Sequence, residues 1–330
     1  MLPERLRQGD EIRVIAPSTS LAVVKDKQID IALDRFNRLG FKITFGKNVF
    51  THNEFFSSSI EERMEDLFDA FTDKNVKAIL TSLGGYNSNQ LLKYIDFDLI
   101  RKNPKIFCGY SDITALSAAI YKKTGLITYS GPFFSSFGIK YGFDYTLHAF
   151  LEAVTNDAPF EVIPSKAWSD DPWYLDQEKR DFVEQDGYLA IQDGVARGRL
   201  IGGNLSTLNL LQGTDYMPNL HNSILFIEDD HESHALSFER NLQSLLHLPT
   251  AAGIKGILIG RFQKDSNMTE HALKQIIDSK KEIQNIPVIG NVNFGHVQPI
   301  VTLPFGAIAH ISAINGNTRI TIEQNKGIHQ

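Results

Sequence analysis

The sequence predicts an α/β protein, with an N-terminal doubly wound parallel-sheet domain followed by a strand-rich C-terminal α+β domain. Three observations lead there. Short apolar runs alternate with helical patterns from Glu11 to Gly125. Those runs end in Gly, Pro or Ser clusters and are separated by helix-length segments, as βαβ units require. From Gly194 onward strand-like runs dominate, and two helical patterns interrupt them.

Glu11 to Ala16 reads as a strand because its apolar residues stop at Pro17-Ser18-Thr19-Ser20. Val24 to Leu39 is an amphipathic helix closed by Gly40, and Phe41 to Phe45 is the next strand. Ser59 with Glu62 three residues on forms a capping box, which starts a helix over about Ile60 to Thr72. A strand over Val76–Leu80, a Gly84-Gly85 loop and a helix from Ser88 to about Ile95 follow. The strand ending at Cys108 then leads into a helix that carries Ile113, Leu116, Ala119 and Ile120 at helical spacing and stops at Gly125. Such alternation implies a mostly parallel sheet with helices on both faces, whose ligands bind outside the carboxyl ends of the strands.

Between Asp157 and Gly187 the character changes: Pro159, Pro164 and Pro172 break the chain, acids cluster, and both tryptophans, Trp168 and Trp173, fall here. This segment reads as a connection that folds a loop back over the active site. Beyond it, strands are expected over Gly194–Ile201, Ile224–Ile227, Ile254–Ile259, Pro287–Asn291, Ala307–Ile311 and Arg319–Ile322, with helices near Phe238–Leu246 and Thr269–Ser279. The domain reading is therefore 1–156 for the first unit, 157–187 for the connecting loop and 188–330 for the second.

The 330 residues fit two domains, and 42% hydrophobic against 22% charged residues is a globular composition. A formal charge of −6 argues against a nucleic acid polymer or an acidic membrane as partner. The single cysteine, Cys108, excludes an intrachain disulfide and fits a reducing compartment. Met1 to Asp10 has no apolar core, and no apolar run approaches a membrane span. The expected location is cytoplasmic.

Phe107-Cys108-Gly109-Tyr110-Ser111-Asp112-Ile113-Thr114 is a strand that turns into a helix with a serine at the corner. A serine held there projects its hydroxyl above the sheet edge, near the first helical amides. Gly109 supplies the tight backbone such a corner needs. The same residues also read as an ordinary serine N-cap followed by an aspartate, as many helix starts show. In Leu80 to Asn89, Gly84 and Gly85 follow a strand and let N–H groups approach a ligand, although a plain turn has the same sequence signature. Glu228 closes the apolar run Ile224-Leu225-Phe226-Ile227, as a cleft carboxylate or as a solvated acid before Asp229, Asp230 and Glu232. His296 is one of ten histidines and stands in a polar loop beside Gly295. Cys108 faces the core, where a thiol is inert. The histidines of Glu228–His234 are three apart, against four in the zinc helix, so neither metal nor other cofactor is expected.

The pair L-G-G-Y-N-S-N-Q-L-L and P-K-I-F-C-G-Y-S-D-I-T-A-L, followed by Tyr129-Ser130-Gly131-Pro132, resembles the serine peptidase family of LD-carboxypeptidases and microcin C immunity peptidases. Gly202-Gly203-Asn204-Leu205, Leu225-Phe226-Ile227-Glu228-Asp229 and Asn293-Phe294-Gly295-His296 follow in the family's order, so the likeness runs from about Gly9 to about Pro304. It implies Ser111 as nucleophile, His296 as base and Glu228 as the group orienting that base. It also implies an oxyanion hole from the Gly85 and Asp112 amides, substrate contacts at Gly84, Tyr86, Asn87 and Asn204, and a homodimer. The resemblance also implies that an aromatic of the connecting loop, Trp168 or Trp173, stacks on a nucleobase, while both tryptophans read equally as packing of the domain joint. Murein LD-carboxypeptidases tend to read G-G-Y-G where this chain has Gly84-Gly85-Tyr86-Asn87-Ser88-Asn89. That version is similar to the immunity branch, so the expected substrate is a small peptidyl nucleotide. The alternatives are removal of D-alanine from cytosolic murein tetrapeptides and a ligand-binding protein without chemistry. A murein peptide calls for a cationic clamp on its carboxylate; no basic residue stands beside Tyr86 or Ser111 in the sequence, though one could arrive from elsewhere, such as Arg240 or Arg197.

Overall fold

Five parallel strands of the first sheet lie in the order Lys42–Phe45, Glu11–Ile15, Val76–Thr81, Ile106–Cys108, Thr128–Ser130, in a computed structural model that describes residues 1–324. The three central strands are buried almost throughout, as expected of strands covered on both sides. A sixth strand, Leu303–Phe305, comes from far downstream and pairs antiparallel with Thr128–Ser130. The second sheet has eight strands. Its centre, Gly194–Asn204, Ser223–Glu228, Gly256–Gly260 and Val288–Val292, is parallel. The hairpin Ile308–Ile314 and Asn317–Glu323 and the short Phe160–Glu161 extend one side antiparallel, and Leu189–Gln192 closes the other. The fold is thus mixed α/β with a strand-rich second sheet. The chain also passes between the sheets at Phe160–Glu161, within the connecting segment, and again at Leu303–Phe305.

The first-sheet helices form where their caps are written. At Ile60–Thr72 the Glu62 amide donates to Ser59 Oγ at 3.2 Å and the Ser59 amide to Glu62 Oε2 at 3.0 Å. Thr114–Thr124 ends at Gly125, which is left-handed (φ 73°). The helix expected over Ser88 to Ile95 is instead a 3₁₀ segment, Ser88–Lys93. Its start is fixed from outside, because Ser88 donates through both its amide and its hydroxyl to Asp112. Asp96 then caps a separate helix, Phe97–Lys102.

Phe36, Phe71, Phe107 and Phe137 are fully buried around the first sheet, each burial stabilising by about 2–3 kcal/mol. The sheets share packing: Phe226 of the second meets Phe305 of the first edge-on at 6.0 Å. The connecting segment folds Ala167–Trp168 onto Val183–Glu184. Lys25 Nζ and Gln28 Nε2 both donate to the Tyr174 carbonyl at 3.0 Å and fasten it to the first unit. Among the described residues no helix is long and apolar enough to cross a membrane.

Candidate active site

Three strand ends and one turn build the site. Ser111 follows the Ile106–Cys108 strand and carries φ of 57°, a left-handed conformation that costs a non-glycine residue about 1–2 kcal/mol. The strain therefore sits on the serine, not on Gly109 as expected. Gly109 is needed for a different reason, since a Cβ there would lie inside contact distance of Thr81 Oγ1. Asp112 holds the corner: its Oδ2 accepts from Ser18 Oγ at 2.6 Å and from the Ser88 amide at 2.9 Å. Those contacts tie the serine turn to the loops after two neighbouring strands.

His296 Nε2 lies 2.9 Å from Ser111 Oγ, and His296 Nδ1 lies 2.7 Å from Glu228 Oε2. Glu228 ends the wholly buried Ser223–Glu228 strand and is 3% exposed. The turn carrying His296 needs Gly295, whose φ is 100° and whose Cβ would stand 2.7 Å from Glu228 Oε2. Tyr110 meets the imidazole edge-on at 5.3 Å and itself stacks on Phe133 at 4.1 Å. Burial pulls the His296 pKa down, but the charge and hydrogen bond of Glu228, aided by Asp230 and Asp229, outweigh it and leave the value raised. With Nδ1–H donated to Glu228, Nε2 can accept the Ser111 proton. Beside Glu228, burial first and the Glu228 charge second push the Asp229 carboxyl up to about 6.

The other expected residues divide by what they touch. A Cβ on Gly84 would be 3.0 Å from Ser111 Oγ, so its backbone borders that hydroxyl. The Gly85 and Asp112 amides have no backbone acceptor among the described residues. Tyr86 is 77% exposed and donates to Glu232 Oε1 at 2.7 Å. Asn87 holds its loop instead: it accepts from Arg63 Nη1 at 3.1 Å and donates to Ser57 Oγ at 2.7 Å. Asn204, expected at the substrate, is buried, caps the Leu205–Asn209 helix by accepting from the Thr207 amide, and donates to Asp229 Oδ1. Its Oδ1 accepts from Ser206 and Thr207, and one Nδ2–H goes to Asp229, so Asn204 supports that acid.

The Trp168 ring lies 4.9 Å from the Arg261 guanidinium and 5.3 Å from Lys264 Nζ, and Trp173 is half-buried against the core. Arg197 pairs with Glu323 on the second sheet, and Arg240 is exposed on the Ala235–Leu246 helix. Cys108 is buried and its thiol pKa is pushed well up by desolvation. No group of three or more His, Cys, Asp or Glu among the described residues is arranged to hold a metal ion. Sequence reasoning missed Tyr110 as a packing partner of His296. It also missed Phe55 and Phe56, which are 78% and 60% exposed and line a cavity of about 850 Å³ with Thr19, Arg63 and Tyr86. An apolar pair before Ser57-Ser58-Ser59 was the available signal.

A parallel sheet with a strained serine at a strand end, joined by hydrogen bonds to a histidine and a buried carboxylate, has the architecture of a hydrolase. The chain belongs to the LD-carboxypeptidase family: residues 12–131 match the model of its N-terminal domain and residues 197–311 that of its C-terminal domain. It is 53% identical to Bacillus subtilis YocD, a carboxypeptidase by name, over 98% of this chain and 100% of that one. It is 33% identical to the Escherichia coli microcin C7 self-immunity protein MccF, over 97% of this chain and 96% of that one. Among solved structures, an MccF-like protein of Bacillus anthracis superposes with a TM-score of 0.96 at 53% identity, covering 98% of this chain and 99% of that one. MccF in complex with aspartyl sulfamoyl adenosine superposes with a TM-score of 0.88 at 30% identity, covering 98% and 99%.

Proposed function

We propose that this chain is a serine peptidase that cleaves the amide linking an aminoacyl or peptidyl residue to a nucleotide. The observation that carries the chemistry is the relay of 2.9 Å and 2.7 Å through Ser111, His296 and Glu228. Ser111 Oγ attacks the carbonyl carbon while His296 Nε2 takes its proton, and Glu228 stabilises the imidazolium that forms. The Gly85 and Asp112 N–H groups receive the developing oxyanion. His296 then protonates the leaving nitrogen, and water, activated by the same histidine, releases the acyl group from Ser111. Asp112 and Ser18 keep the nucleophile in its strained pose throughout.

The substrate reading is supported by the Asn87-Ser88-Asn89 version of the glycine loop and by the solved structure of MccF in complex with aspartyl sulfamoyl adenosine. The murein reading is weakened by the basic residues, since Arg63 is tied to Asn87 and Gln90, and Arg197 is paired with Glu323. The test is a side-by-side assay of wild type and Ser111→Ala on an aminoacyl sulfamoyl adenosine and on an anhydro-muramyl tetrapeptide. Wild type should cleave the nucleotide, and Ser111→Ala should bind it without turnover. Release of D-alanine alone would reverse the order of substrates, and wild-type turnover by Ser111→Ala would remove serine from the mechanism. A homodimer belongs to the same reading, and a light-scattering mass of one chain would overturn it.

A further inference from the structure

We propose that the cavity walled by Phe55, Phe56 and Tyr86 is a subsite for a neutral, ring-bearing side chain on the penultimate residue of a peptidyl nucleotide, the residue before the one joined to the nucleotide. The inference deepens the serine peptidase reading above and rests on it. The cavity, of about 850 Å³, has the size of a ligand site and meets the candidate active site through the glycine loop. Gly84 borders the Ser111 hydroxyl, and its carbonyl accepts from the Thr19 amide at 3.1 Å. A Cβ on Gly85 would lie 2.5 Å from Thr19 Oγ1. Thr19 and Tyr86 then continue into the cavity wall. From Gly84 to Tyr86 is two residues, at most about 7 Å of chain, which is the reach of two substrate residues. The chemistry sets the direction. His296 protonates the leaving nitrogen, so the nucleotide departs on the histidine side, where Gln298 exchanges hydrogen bonds with Ser169, next to Trp168. The acyl chain runs the other way, past the Gly85 amide and toward Tyr86.

The rings in that path are held outward by an ordered turn. Phe55 and Phe56 are 78% and 60% exposed, and Phe56 carries φ of 56°, a genuine outlier for a bulky side chain. Hydrogen bonds fix it there: the Ser20 amide donates to the Phe56 carbonyl at 2.7 Å, the Phe56 amide to the Asn53 carbonyl at 3.0 Å, and the Phe55 amide to Asn53 Oδ1 at 2.8 Å. Backbone strain of this kind persists only where its surroundings impose it, and it clusters at ligand sites. The charged side chains of the lining are Arg63 and Glu54. Arg63 is 3% exposed and spends its donors on the Pro17 carbonyl, Asn87 and Gln90, whereas Glu54 is exposed. A neutral apolar group therefore gains burial here, and a ring gains offset or edge-on packing against the phenyl groups in addition. A carboxylate meets Glu54 and a cation already engaged.

The experiment compares phenylalanyl-alanyl, alanyl-alanyl and glutamyl-alanyl sulfamoyl adenosine on wild type, on Phe55→Ala and on a Phe55→Ala/Phe56→Gly double variant, in which glycine suits the left-handed turn. Wild type should prefer the phenylalanyl over the alanyl compound by about tenfold or more in kcat/KM, expressed in KM, and should take the glutamyl compound least. Phe55→Ala, which leaves the strained turn in place, should lose part of that preference. The double variant, with a thermal melt to show that it is folded, should lose most of it. Calorimetric binding of the three compounds to Ser111→Ala should follow the wild-type order. Equal handling of phenylalanyl and alanyl compounds by wild type, or a full preference retained by the double variant, would overturn the assignment. A double variant that is monomeric where wild type is dimeric, with the preference unchanged, would overturn it too and give the rings to a second copy. Release of D-alanine from a murein tetrapeptide with no cleavage of any nucleotide compound would instead overturn the substrate reading, and this proposal with it.

Discussion

Replacing Glu228 by Gln changes one oxygen for an NH₂ group and almost no volume, in a side chain that is 3% exposed. Two effects follow. If the amide NH₂ faces His296 Nδ1, the ring is driven to the tautomer whose Nε2 already carries hydrogen, and that nitrogen no longer accepts from Ser111, 2.9 Å away. If the amide oxygen faces Nδ1, a neutral hydrogen bond replaces a charge-assisted one, at about half the strength. Loss of the carboxylate from serine triads costs about 10⁴-fold in kcat, or about 5 kcal/mol of barrier. A distinct signature accompanies the loss. The base must be neutral to act, and the His296 pKa stands above its ordinary 6.5, so wild-type kcat/KM should rise along a limb centred above that value. Glu228 supplies the largest upward contribution, and burial pulls the other way. The residual activity of Glu228→Gln should therefore rise along a limb displaced to lower pH. Initial rates on an aminoacyl sulfamoyl adenosine from pH 5 to 9 test both points, with thermal melts to establish that the fold is intact. A loss below tenfold, or a limb that stays where it was, would refute the role given to Glu228.

The Gly85→Ala variant carries a Cβ at φ of 149° and inside contact distance of Ser18 Oγ, so the loop must twist and its amide must turn away. Kinetics should show kcat down by about 10²–10³ with KM little changed, and a variant within threefold of wild type would remove Gly85 from the oxyanion hole. Asp229→Asn should stabilise the protein above pH 6 at the expense of activity. The Asp229 carboxyl is raised from 3.8 to about 6 and is 1% exposed. Its favourable contribution is complete below 3.8 and is lost as pH rises through 6, so at pH 8 the charge destabilises by an amount of order 1–3 kcal/mol. Urea unfolding at pH 8 and pH 4 should show the gain only at pH 8, and an equal gain at both would mean that charge is not its cause.

Much of the site was legible because its parts lie at strand ends with local signatures. Gly84-Gly85 after one strand, Ser111 after another and Glu228 closing a third are all visible as breaks in apolar runs. What those breaks do not carry is the partner of each side chain. Asn87 and Asn204 look like ligand-binding amides in sequence, yet Arg63, Ser57 and Asp229 claim them, and those contacts join residues far apart in the chain. Gly109 was assigned the wrong duty for a similar reason. Its need comes from Thr81 on the neighbouring strand, and the left-handed angle falls on Ser111, where sequence rules disfavour it. The 3₁₀ segment Ser88–Lys93 has helical composition, but hydrogen bonds from Ser88 to Asp112 decide its geometry.

The least legible element, the strand Leu303–Phe305, bears directly on catalysis. Ser111 belongs to the first sheet, whereas Glu228 and His296 come from the ends of strands in the second. On the proposed mechanism, a base and its nucleophile carried on separate sheets drift apart unless something fixes the sheets, and a shift of about 1 Å already costs on the order of 10²-fold in rate. The chain solves this within a few residues of His296. Gln298 exchanges two hydrogen bonds of 2.7 Å with Ser169, in the segment that Lys25 and Gln28 fasten to the first unit. Leu303–Phe305 then enters the first sheet beside Thr128–Ser130, the strand next to the one that ends before Ser111. The histidine turn is therefore anchored on the sheet that carries Ser111 immediately downstream. Short apolar triplets such as Leu303-Pro304-Phe305 carry too little pattern to be read as strands, and Pro304 argues against one, because proline is admitted only where a strand lies at a sheet edge. That edge is where this strand lies.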